Sequence, residues 1–192
     1  MNQISLIEKL DEFIRKYYRN KCLKGGVISV GIIGAGLLGV SALEYLGRFD
    51  VLGRTILFYS VLVALVVVLY ALLLSPLLKL LRLGAIISHE EASKIIGEHF
   101  PEIKDKLLNT LQLQGQLSLE GEGNDLLLAS IKKRTEELRL VPFVNAIDLK
   151  SNLVYLKYSS IPLAVIACVL ILTPGVISEP AERIIQHRSA FV

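Results

Sequence analysis

The chain has 192 residues, 53% of them hydrophobic and only 20% charged, with a formal net charge of +3 and mean hydropathy of +0.55. That is too apolar for an ordinary water-soluble domain and too weakly basic to argue for nucleic acid, and no Trp is present to stack on a base. The two cysteines, Cys22 and Cys168, lie beside or inside apolar windows, so neither a disulfide framework nor a zinc site is readable.

Residues 3–18 place Ile4, Leu6, Ile7, Leu10, Phe13, Ile14 and Tyr17 at helical spacing, opposite Glu8, Lys9, Asp11, Glu12, Arg15 and Lys16. This is an amphipathic helix whose apolar face has two uses. It either meets anionic lipid or a partner, or packs on the chain's own cytoplasmic module. Together, residues 1–24 form a basic cytoplasmic segment.

Three uncharged windows follow. Gly25 to Leu43, extended to residue 46 as the first transmembrane helix, holds six glycines in 19 positions, a composition poor in helix propensity that calls for a partner helix. Thr55 to Leu78 is the second: 16 of its 24 residues are Leu, Val, Ile or Phe. Each favours insertion by roughly 0.3 to 0.6 kcal/mol near mid-bilayer. The third, residues 158–178, carries Pro162 in what is expected to be its first turn and Pro174-Gly175 where the helix should stop. Tyr17, Tyr18, Tyr45, Phe49, Tyr59, Tyr155 and Tyr158 fall at the window ends, as expected for rings at headgroup level.

Six basic residues in 1–24 against two in the loop 44–54 keep the N-terminus in the cytoplasm, and the eleven in segment 79–157 assign that segment there too. The tail 179–192 then lies in the periplasm. The 24-residue charged lead and the second span favour an uncleaved anchor over a signal peptide for the first window.

Within 79–157, Ser88 and Glu91 form a capping box that opens a helix ending near Phe100, and Pro101 opens the next. That second helix buries Leu107, Leu108 and Leu111, with Asp105, Asn109 and Gln112 as a polar stripe opposite. The stretch from Ser118 to Gly123 reads as a loop, Asn124 or Asp125 caps a third helix closed by Pro142, and Asp148 to Tyr158 is expected to run as a helix into the membrane.

Gly34-Ala35-Gly36-Leu37-Leu38-Gly39 matches G-x-G-x-x-G, the phosphate turn of dinucleotide folds. The context fails, because the following apolar run from Thr55 lasts 24 residues without an acid and so cannot be the second strand. Gly31, Ala35 and Gly39 instead recur every four residues, giving a helix face that another helix can approach closely. His89-Glu90-Glu91-Ala92-Ser93 is not H-E-x-x-H, and no nucleophile elbow or converging carboxylate pair is readable, so no catalytic, metal or cofactor residues are assigned. Asp105, Asn109 and Gln112 read either as a docking face or as a solvated surface.

The run from Ile87 through Glu102 and on from Asp105 to Leu113, with Leu126 to Ile131, Val141-Pro142-Phe143 and Asn152 to Tyr158, resembles a known layout. It is similar to the N-terminal region of a large, uncharacterised Bacteroidetes-type inner-membrane protein family. The resemblance implies two spans, a cytoplasmic helical insert, a third span and a long periplasmic part. This chain stops at Val192 and looks like the anchor piece without that outer region.

The expected protein is therefore an all-α integral membrane protein of three spans with a small cytoplasmic helical module. Its expected role is that of a non-enzymatic inner-membrane anchor or scaffold. Other membrane subunits, self-association and the lipid bilayer are its expected partners, with no nucleic acid and no cofactor. The alternative is a regulatory subunit whose cytoplasmic helices dock a soluble partner such as an ATPase.

Overall fold

The computed structural model describes residues 6–120 and 125–187, leaving the side chains of 116–120 and 125–128 undescribed. Every regular element among the described residues is helical: α1 (Leu6–Gly47), α2 (Val51–Leu69), α3 (Ser75–Leu80), α4 (His89–His99), α5 (Lys104–Glu120), α6 (Asp125–Arg139), α7 (Asn152–Leu172) and α8 (Gly175–Ile185). Three helices are long and apolar enough to cross a membrane: α1, the α2–α3 run Val51–Leu80, and α7. At about 1.5 Å per residue, α7 spans about 30 Å, the thickness of a hydrocarbon core.

The chain divides into two compact units, one from Met1–Asn20 with Lys79–Asp148, the other from Lys21–Leu78 with Leu149–Val192. The first unit has a core of Leu6, Leu10, Phe13, Ile14 and Tyr18 from α1, Ala92 and Ile96 from α4, Leu107 from α5, Ile131 and Leu138 from α6, and Phe143 and Ile147 beyond. Burial stabilises each of the larger side chains by roughly 1.5 to 3 kcal/mol. The apolar face from Leu6 to Tyr18, Ile7 apart, is thus used on the chain's own helical module, and Ile4 lies outside the described residues. Tyr18 is buried in this core rather than set among headgroups, and its hydroxyl accepts from the Ile87 N–H at 3.0 Å.

The capping box forms as its spacing requires, with Glu91 N donating to Ser88 Oγ and Ser88 N to the Glu91 carboxylate. Helix α4 ends at His99, and a short 3-10 turn over Pro101–Ile103 leads into α5. The leucine stripe is narrower than its spacing suggests: Leu107 and Thr110 are fully buried, while Leu108 and Leu111 are half-buried. Thr110 enters the core because its hydroxyl donates to the Lys106 carbonyl at 2.6 Å and so needs no other partner. Helix α5 continues through Gly115 to Glu120, farther than the expected loop allows, and residues 121–124 of that loop, with the Asn124 cap, lie outside the described residues.

In the second unit, α2 starts at Val51, where Asp50 Oδ1 accepts from Gly53 N at 2.9 Å. Its path changes over Tyr70–Leu74, where the backbone widens to π-helical turns. Pro76 is the cause: it has no N–H for the Leu72 carbonyl, and its ring would strike that oxygen. The displaced Leu72 carbonyl lies against Gly25 of α1, where any Cβ would collide with it. Only glycine permits that approach.

Helix α7 begins at Asn152, within the helical run expected from Asp148 to Tyr158, so Pro162 is interior and not in the first turn; the helix stops at Leu172, just ahead of Pro174-Gly175 and short of the expected boundary at 178. Gly31 and Gly34 of α1 sit against Ser159 and Pro162 of α7, where a Cβ on Gly31 would stand 2.7 Å from Ser159 Oγ. The chain then turns at Thr173 into α8, an element absent from the sequence reading, which buries Ile177, Pro180 and Ile184 within this unit.

Candidate functional site

Polar groups gather where the last turns of α1 meet α8 in the second unit. Glu44, on the α1 face that also carries Ser41, is only 1% exposed, and neither carboxylate oxygen has a hydrogen-bond partner. Its counter-charge is Arg183 of α8, with Nη1 at 3.8 Å from Oε1. Tyr45, Arg48, Glu179 and Pro180 complete a pocket of about 110 Å³ around the pair. Ser41 Oγ, one turn away, is buried and without a hydrogen bond. Arg54 is 4% exposed, its Nε donating to the Asp50 carbonyl at 3.4 Å. A buried ion pair of this kind ties α8 to α1 and is strongly destabilised when one partner is removed. His187 stacks on Phe58 at 4.4 Å between ring centroids.

Between α1, α2 and α8 of the same unit runs an apolar groove of about 640 Å³. Ile33, Leu37 and Val40 form one wall and Val61, Leu65 and Val68 the other, and Gly36 opens the floor because nothing lies within 4 Å of where its Cβ would be. In the most apolar stretch of α2 no residue is buried.

In the first unit the chemistry centres on Asp11. Its carboxylate accepts from Arg82 at 2.7 Å and lies 3.0 Å from His89 Nε2. The His89 hydrogen bond, opposed by partial burial and supported by Arg82, holds the Asp11 carboxyl below the ordinary carboxylate range. Lys9 donates to the Arg139 and Val141 carbonyls and Lys16 to the Val144 carbonyl, so two cations of α1 satisfy carbonyls at and beyond the C-terminus of α6.

Gly31 is buried against Ser159, whereas Ala35 and Gly39 are exposed, so the four-residue repeat does not act as one face within the chain. Asp105, Asn109 and Gln112 are all exposed on α5. Glu44 was missed because it stands just past an uncharged window and its partner lies in α8. Among the described residues no group of three His, Cys, Asp or Glu side chains is placed to hold a metal ion. Comparison with protein-family models, with characterised proteins and with solved structures found no match.

Proposed function

We propose that this chain is a non-enzymatic anchor or scaffold subunit of a membrane protein assembly, with its spans in a bacterial inner membrane and the module of residues 79–157 in the cytoplasm. The observation that supports the reading is the groove beside Gly36. Its walls are apolar enough for the bilayer, and its glycine floor suits the close approach of another helix, from a second copy or a different subunit. Ala35 and Gly39 leave the neighbouring surface of α1 equally low. The excess of basic residues in 1–24 over 44–54 supports a cytoplasmic N-terminus and a periplasmic C-terminus.

The alternative, a regulatory subunit that docks a soluble protein, draws on one feature. Asp105, Asn109 and Gln112 are exposed at i, i+4 and i+7 on α5, and none of their side chains bonds to another described residue.

A photo-crosslinking residue at Leu65 in the groove, and another at Asn109, separates these readings in native membranes. A protein adduct at Leu65 supports the scaffold, and a protein adduct at Asn109 alone supports the docking subunit. Lipid adducts at Leu65 with none at Asn109 refute both.

A further inference from the structure

Because the apolar face of α1 is used within the first unit, the outward face of the same helix carries the unspent chemistry. Glu12, Arg15, Lys16 and Arg19, with Leu80 and Val144, line an open pocket of about 610 Å³. Lys16 is fixed there by its bond to the Val144 carbonyl at 2.7 Å. Arg15 and Arg19 are exposed and make no hydrogen bond or ion pair with the described residues. Their four-residue spacing puts the two side chains one turn apart on the same face, with Cβ atoms about 5 to 6 Å apart, a separation across which both guanidinium groups can reach one phosphate. Glu12 is the opposing charge, one turn from Arg15 and two turns from Arg19 toward the N-terminus. An anion is therefore favoured at the Arg15–Arg19 end.

The uncharged window of α1 begins at Gly25, six residues beyond Arg19, which is about 9 Å along the helix. Headgroup layers extend roughly 5 to 8 Å past the hydrocarbon core, and an arginine stem reaches across the remainder. Leu80 adds an apolar wall beside the guanidinium groups. We infer that Arg15, Lys16 and Arg19 bind the phosphate headgroup of an anionic phospholipid at the membrane boundary. The inference rests on α1 crossing the membrane and not on the scaffold role.

The full chain is reconstituted in vesicles of phosphatidylcholine alone or with phosphatidylglycerol, and retained lipid is counted by native mass spectrometry. Phosphatidylglycerol should be retained selectively, and R15Q/R19Q should weaken it about 30-fold, two cationic contacts at about 1 kcal/mol each. R15K/R19K, which keeps both charges, should retain most of the selectivity, and K132Q/K133Q, which removes two exposed cations of α6, should retain all of it. Both arginines are exposed, so circular dichroism of R15Q/R19Q should match the parent. Equal loss in K132Q/K133Q, no loss in R15Q/R19Q, or full competition by inorganic phosphate overturns the assignment to lipid. Loss of the scaffold role would show at the Leu65 crosslink and leave this measurement unchanged.

Discussion

Two single substitutions on α1, Gly25→Ala and Gly36→Ala, should move stability in opposite directions. Exchanging glycine for alanine inside a helix is favourable by up to about 1 kcal/mol, because alanine loses less backbone freedom on folding. At Gly36 nothing lies within 4 Å of the new Cβ, so that gain stands. At Gly25 the Cβ collides with the Leu72 carbonyl, a backbone atom held in place by the π-helical turns ahead of Pro76. Overpacking of this kind costs about 1 to 3 kcal/mol, which leaves Gly25→Ala a net loss of up to about 2 kcal/mol after the propensity gain of about 1 kcal/mol. Reversible unfolding in mixed micelles, followed by circular dichroism, measures both. If Gly25→Ala stabilises the protein as much as Gly36→Ala does, α1 does not rest on the Leu72 carbonyl, and the account of the kink is wrong.

Arg183→Ala should cost about 3 to 5 kcal/mol by leaving the Glu44 carboxylate, only 1% exposed, without its counter-charge, and Glu44→Ala should cost less, because the Arg183 side chain is 30% exposed; a neutral result at both in the same micelle assay would remove the ion pair from the fold. Leu107→Ala should cost about 2 to 5 kcal/mol, whereas Asn109→Ala should stay within about 0.5 kcal/mol, so equal effects would mean that α5 is turned differently from the structure. Asp11 has a folded value below its ordinary 3.8, so its stabilising contribution is complete above that value and is lost as pH falls through the lowered one. Asp11→Asn should therefore flatten the acid limb of the stability profile below about pH 4, and an unchanged limb would assign the acid sensitivity to other carboxylates.

Much of the helical layout was legible because it rests on local chemistry. The Ser88–Glu91 box, the stop before Pro101 and the three uncharged windows each act through neighbours in sequence. What escaped depended on distant partners. The apolar face of residues 3–18 has the same spacing whether it meets lipid or a protein core, and only the placement of Ile96, Leu107 and Phe143 decides it. The glycines of α1 differ in the same way, since Gly25 and Gly31 meet backbone and side chains of other helices while Gly36 and Gly39 meet nothing. The helical run from Asp148 to Tyr158 is legible, but the uncharged window begins only at Tyr158, which places Pro162 in a first turn, whereas α7 is continuous from Asn152 and makes that proline interior. Glu44 carries no local signal of a partner, as Arg183 lies beyond the third apolar window, in a helix that opens at Pro174-Gly175.

The central claim is that α1 and the α2–α3 run each cross the membrane, with the helical module on the side of the N-terminus. Single cysteines at Arg48 and at Glu98, in a variant lacking Cys22 and Cys168, test it by labelling intact cells with a membrane-impermeant maleimide. Arg48 lies in the turn between α1 and α2, and Glu98 is exposed on α4. The account predicts labelling at position 48 from outside and none at position 98 until the membrane is opened. Labelling at both positions in intact cells would show that the α2–α3 run does not cross, and labelling at position 98 alone would invert the topology.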